Sequence, residues 1–101
     1  MLESIDLIQV YTEQLTEGEF FVHQQVQDAV IRRLEIIGEA VKNLSSEVKR
    51  KRPNIPWQQI AGMRDVLIHE YFGVDLRLTW KTVEKDLPFL KQELLSLLQE
   101  A

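Results

Sequence analysis

Apolar residues recur every three or four positions along most of this chain, which is the spacing of amphipathic helices. The longest such pattern predicts one helix over about residues 20–44, against which two neighbouring helices are expected to pack. Gly38 lies inside this helix, where glycine costs about 1 kcal/mol relative to alanine. A close helix crossing at Gly38 would explain why that cost is tolerated. The main apolar stripe consists of Val26, Val30, Leu34, Ile37, Val41 and Leu44.

Glycine, proline and capping residues separate the other helical stretches, and no strand-like alternation competes with them. The prediction is an all-α, single-domain antiparallel bundle of four to five helices over residues 1–101. The expected helices cover about residues 2–15, 20–44, a short stretch after Ser45 or Ser46, 56–72 starting at Pro56, a stretch capped by Asp75, and a last apolar helix that Pro88 opens or kinks.

Composition narrows the class of protein. With 101 residues, of which 45% are hydrophobic and 28% charged, the chain fits one ordinary globular domain. It has no cysteine, so disulfides, thiolate metal sites and cysteine nucleophiles are excluded. No apolar run approaches the roughly 20 residues of a membrane span, and no signal-peptide pattern is present. A cytoplasmic protein without membrane contact is therefore expected.

The charge pattern bears on nucleic-acid binding. A net charge of −4 argues against general, salt-driven coating of nucleic acid, although a local basic patch is compatible with it. The one dense basic run covers residues 49–52, and Arg50 and Lys51 within it are the candidate RNA-binding residues. The plain alternative is a solvated helix face.

The side chains suited to chemistry concentrate in residues 64–71. On a helix with about 100° per residue, Arg64 lies in the middle of the apolar stripe, on the same face as Tyr71. A guanidinium cannot lose its proton, so it needs an anion, a carboxylate or an interface there. His69 points about 140° away from Arg64. Asp65, one turn before His69, is placed to accept from one imidazole nitrogen and leave the other for proton transfer.

Such a set suits attack on a phosphodiester, since a cation stabilises the developing charge while histidine moves a proton. A two-fold pairing of chains would bring both copies of the set into one groove. Structural readings of the same residues stay open. A single histidine near an apolar stripe is more often structural, Arg64 could pair with Glu39 or Asp65, and Tyr71 could belong to the core.

Residues 62–75, GMRDVLIHEYFGVD, resemble the signature of HepT-like proteins, the HEPN partners of minimal nucleotidyltransferases in bacterial toxin–antitoxin pairs. That motif is Arg, a polar residue, three more positions, His, any residue and Tyr. Arg64, Asp65, His69 and Tyr71 fill its places. Residues 27–40, 53–57 and 86–88 also match, so the resemblance spans nearly the whole chain.

The resemblance implies a toxin-type, metal-independent endoribonuclease without a cofactor, working as a two-fold homodimer whose interface forms the RNA cleft. Arg64 would hold the scissile phosphate, His69 would act as general acid or base, and Asp65 would orient or polarise these catalytic groups. The 2′-hydroxyl of RNA would be the nucleophile and leave a cyclic phosphate. Tyr71 resembles the tyrosine that the cognate nucleotidyltransferase antitoxin adenylylates, which would add an anion beside the cleft and block RNA entry.

Two non-enzymatic alternatives remain beside this function. One is a non-catalytic subunit that binds the nucleotidyltransferase partner or a nucleotide. The other is a structural helical adaptor, which would leave Arg64 without a partner. No metal site is expected, because His23 and His69 are the only histidines and lie far apart in the sequence. His23, in a polar stretch, is expected to be exposed.

Overall fold

Helices make up most of this protein. The structure is a computed structural model that describes residues 1–63, 65 and 75–100 with their side chains and residues 68–69 and 73–74 by their backbone. The all-α fold class expected from the sequence is confirmed, with one pair of two-residue strands added to it. Within these residues, no helix combines the length and apolar character that crossing a membrane requires.

The elements follow one another without long connections. They are α1 Leu2–Thr12, α2 Glu17–Phe21, α3 Gln24–Lys42, α4 Ser46–Arg50, α5 Trp57–Ala61, β1 Ile68–His69, β2 Gly73–Val74, α6 Leu76–Lys81, a π-helical turn Thr82–Asp86, and α7 Leu87–Glu100.

The core lies around α3, as its apolar stripe predicts. Its buried side chains meet α1, α2 and α5, and α1 also contacts α7. Phe20 of α2 packs against Trp80 of α6 with ring centroids 5.1 Å apart, which joins these two helices across the core. The fully or nearly fully buried members from α1 and α3 are Ile5, Ile8, Val30, Leu34, Ile37 and Val41.

The expected single helix over residues 20–44 is wrong at its start, because side-chain caps divide it. Thr16 and Glu19 form a reciprocal capping box that begins α2, and Gly18 lies inside this short helix. The Nδ1 atom of His23 accepts from the Val26 amide at 3.3 Å and begins α3. Gln27 donates to the carbonyl of Phe20 at 2.9 Å and holds the corner closed. His23 is exposed, as expected.

The helix expected over residues 56–72 is also wrong in part. Pro56 is the N-cap rather than the first helical residue, and α5 ends at Ala61 before Gly62. The backbone of Ile68–His69 pairs antiparallel with Gly73–Val74, where a helix was expected. β-Branched Ile68 opposite Val74 suits a pleated pair. Met63 and Asp65 have helical backbone. The prediction for residues 64, 66–67 and 70–72 falls outside the described residues.

Pro88 lies in a helix that continues through a change of hydrogen-bonding pattern. The Leu87 amide donates to the Thr82 carbonyl, five residues back, and the π-helical turn ends there. Proline cannot donate a backbone hydrogen bond and its ring crowds the carbonyl four residues earlier, so a wider turn accommodates it. The last helix begins at Leu87, one residue before Pro88, which is close to the start expected from the sequence.

Candidate active site

Gly38 fixes the position from which the candidate motif begins. A Cβ atom built on Gly38 would lie 3.2 Å from the Ala61 carbonyl oxygen and 3.4 Å from that of Ile60. The backbone of α5 therefore rests directly on α3, and the close crossing expected at Gly38 is confirmed. The chain that leaves α5 at Gly62 starts against the surface of α3.

A polar hollow of about 530 Å³ lies beside this crossing and contains Asp65, whose side chain is exposed. Most of its wall is one face of α3, because the α3 residues that line it follow helical spacing and cover an arc of about 160°. Its lining residues are Arg32, Glu35, Ile36, Gly38, Glu39, Lys42, Ala61 and Asp65.

The charged side chains of the hollow are held in loose pairs. Arg32 lies 3.7 Å from Glu35, and Lys42 lies 3.3 Å from Glu39. Water competes for such exposed pairs, so they contribute little to stability and rearrange easily. Among the described residues, the lining carries three carboxylates and two cations.

The far end of the motif segment is anchored by Asp75. Its Oδ1 atom accepts from the Leu78 amide at 3.0 Å, which confirms Asp75 as the expected cap of α6. The same helix buries Trp80 in the core. The segment between Gly62 and Asp75 therefore starts on α3 and ends on a capped helix.

The candidate residues are described to different extents. Asp65 lies in the hollow, while for His69 only the backbone is described, in β1. Because His69 is in a strand, the helical i−4 relation to Asp65 that was expected from the sequence is wrong. Arg64 and Tyr71 lie outside the described residues, so their expected positions stay predictions.

The basic run at residues 49–52 contains both exposed side chains and one side chain that is held by ion pairs. Arg50 and Lys51 are exposed. The side chain of Arg52 is only 14% exposed, and its Nε atom lies 3.2 Å from a Glu93 carboxylate oxygen of α7. Arg52 also binds Glu100, and this contact raises the pKa of the Arg52 guanidinium and lowers the pKa of the Glu100 carboxyl.

The charged face of α3 was missed from the sequence, although its signal is readable. Charged residues at spacings of three, seven and ten from Arg32 fall on one helix face. Only the packing at Gly38 shows that this face adjoins Asp65. Within the described ranges, no group of three or more histidine, aspartate or glutamate side chains is arranged to hold a metal ion.

Comparison with known proteins identifies the family. The sequence model of the ribonuclease HepT-like family matches residues 1–97, which include the whole candidate motif. The chain belongs to the ribonuclease HepT-like family. No solved structure matches it.

Two relatives illustrate the similarity. A Thermococcus cleftensis protein named "Probable ribonuclease HepT" is 53% identical over 89 residues, covering 88% of this chain and 81% of the relative. A Methanocaldococcus jannaschii protein named "Gamma-glutamylcyclotransferase and putative RNase" is 57% identical over 100 residues, covering 99% of this chain. The chain spans only 45% of that second relative's length.

Proposed function

We propose that this HepT-like chain is a metal-independent endoribonuclease subunit that acts as a two-fold homodimer. The observation that carries the proposal is the family match over residues 1–97, together with relatives whose names describe ribonucleases. The solvent-open hollow around Asp65 supports it, because a long RNA strand needs an accessible groove.

The chemistry follows from the residue types of the motif. The 2′-hydroxyl of RNA attacks the adjacent phosphorus, the bond from phosphorus to the 5′-oxygen breaks, and a cyclic phosphate and a free 5′-hydroxyl result. His69 moves a proton as general acid or base. Arg64 stabilises the extra negative charge of the transition state. Asp65 polarises or orients the side chains of Arg64 and His69. No redox step or added reactant is needed.

The decisive experiment compares the two histidines of the chain in an RNA cleavage assay that contains a metal chelator. The wild-type protein and His23→Asn are expected to cleave RNA, since asparagine replaces the N-cap of α3 that His23 provides. His69→Ala is expected to lower the rate by roughly 100-fold or more, the usual contribution of a general acid or base.

The outcomes separate the two functions left open by the sequence. Cleavage by His69→Ala at the wild-type rate would reject the role of His69. A wild-type protein that folds and dimerises but cuts no RNA would favour the non-catalytic subunit that binds a nucleotidyltransferase or a nucleotide. Product analysis by mass distinguishes a cyclic phosphate from an open one.

The proposal extends to regulation by a cognate minimal nucleotidyltransferase, as in a toxin–antitoxin pair. The phenol of Tyr71 attacks the α-phosphorus of ATP, pyrophosphate leaves, and an adenylate group remains on the ring oxygen. The added anion repels the RNA backbone. Arg50 and Lys51 contribute only auxiliary contacts to RNA, because both are exposed beyond the hollow and its lining does not include them.

A further inference from the structure

We propose that His23 makes the corner between α2 and α3 sensitive to pH, because His23 caps α3 only while its imidazole ring is neutral. The Nδ1 atom of His23 accepts a hydrogen bond from the Val26 amide at 3.3 Å, and this bond begins the 19-residue helix α3. The proposal concerns the conformation of the chain and does not depend on the proposed ribonuclease activity.

An imidazole differs from the other capping groups of this protein because it loses its acceptor near neutral pH. Thr16, Ser45 and Asp75 cap α2, α4 and α6 with side-chain oxygens. Such oxygens accept hydrogen bonds throughout the neutral range. A neutral imidazole has one acceptor nitrogen, whereas the protonated ring has two donors and no acceptor. Histidine side chains ordinarily change between these two forms near pH 6.5.

Protonation replaces attraction with repulsion at the first turn of α3. The Val26 amide donates, and a protonated Nδ1 atom would also donate, so two hydrogens would face each other. The unpaired amides of a first helical turn carry partial positive charge, which disfavours a cation beside them. The first turn of α3 contains no acidic residue that could offset this effect.

The neighbouring charges do not supply a replacement for the lost bond. α1 packs against α3, and α6 packs against α2. The charged residues that these elements carry near the corner are Glu13 after α1, Glu17 and Glu19 of α2, Asp28 of α3, and Arg77 and Lys81 of α6. In the part of the chain that the structure describes, none of them forms an ion pair with His23. The Glu19 carboxylate already accepts from the Thr16 amide.

The rest of the corner limits the change to the start of α3. Gln27 donates to the carbonyl oxygens of Phe20 and Phe21 at 2.9 and 3.1 Å, and its own position depends on the first turn of α3 being helical. Phe20 is fully buried and packs against Trp80, so α2 stays attached to the core. The acid form is therefore a folded protein whose α3 begins with a frayed turn.

The test compares the melting temperatures of the wild type, His23→Asn and His23→Ala between pH 8 and pH 5. Asparagine caps a helix at every pH in this range, and alanine caps it at none. The wild type is expected to melt close to His23→Asn at pH 8 and close to His23→Ala at pH 5. The two variants should stay roughly 4 °C or more apart, the scale of one cap in a domain of this size. His69 titrates in all three proteins, so its effect cancels in the differences.

A second measurement locates the change at the cap. In NMR spectra, the amide proton of Val26 should shift together with the titration of the His23 ring, and in His23→Asn it should stay constant over the same range. A wild type whose melting temperature runs parallel to that of one variant at every pH would overturn the proposal. Equal melting temperatures of the two variants, or a Val26 amide signal that ignores the titration, would overturn it as well. None of these results would affect the proposed ribonuclease.

Discussion

At the scale of single residues, the absence of a side chain at Gly38 controls the approach of two helices. The carbonyl oxygens of Ile60 and Ala61 occupy the space that a side chain at this position would need. These are backbone atoms, so they cannot rotate away as a flexible side chain would. The sequence shows the cost of glycine inside a helix, but only the structure shows which atoms require it.

Substitution of Gly38 is expected to destabilise the protein where substitution of another helical glycine does not. Gly38→Val should cost about 1–3 kcal/mol through overpacking against α5. Gly18→Ala is the control, because the nearest atom to its Cβ is the Thr16 hydroxyl at 4.0 Å. It should be neutral or gain up to about 1 kcal/mol. Urea unfolding midpoints measure both, and a Gly38→Val protein as stable as wild type would contradict the tight crossing.

At the scale of elements, the spacing of apolar residues predicted the buried faces of the helices better than it predicted where the helices begin and end. The buried side of α3 follows from apolar spacing alone. Its start was misplaced because the His23 cap is a side-chain contact that leaves no periodic signal. The capping box of α2 was readable, since threonine is followed three residues later by glutamate. Glu19 also has a lowered pKa because its carboxylate accepts from the Thr16 amide.

The contact between Arg52 and α7 is expected to make stability depend on pH through Glu100. Its pKa is lowered in the folded protein, mainly by the Arg52 hydrogen bond. The stabilisation is therefore present above the unfolded pKa, about 4.3, and is lost as pH falls through the lower folded value. Arg52 has a raised pKa and stays protonated across this window, so it adds no pH dependence there.

Melting temperatures of wild type and Glu100→Gln between pH 7 and pH 3 measure this effect. The wild type should be slightly more stable at pH 7, and the difference should shrink toward zero at the acid end. Glu84→Gln, which changes an exposed carboxylate of the π-helical turn, is the control. A difference for Glu100→Gln that stays constant across the range would show that the ion pair does not contribute through charge.

At the scale of the whole molecule, the sequence predicted the family but not the surface around the candidate motif. The roles of Arg64, Asp65, His69 and Tyr71 were assigned from residue types, spacing and family resemblance, and they stay predictions. The helical relation between Asp65 and His69 failed because Ile68–His69 pairs with Gly73–Val74, and such tertiary pairing overrides helical periodicity. The charged α3 face was not predicted as part of the site, because it adjoins Asp65 only through packing.

At the same scale, the proposed nucleotidyltransferase is expected to switch off the whole ribonuclease by modifying Tyr71. Incubation with the cognate nucleotidyltransferase and ATP is expected to add the mass of one adenylate group per chain and to suppress RNA cleavage, because the modified ring carries an anion beside the cleft. The chain has two tyrosines, so Tyr71→Phe should stay unmodified and active while Tyr11→Phe, altered at a half-buried position of α1, should be modified like the wild type. Adenylate found on Tyr71→Phe, or an adenylylated wild type that still cleaves RNA at full rate, would reject this mode of neutralisation.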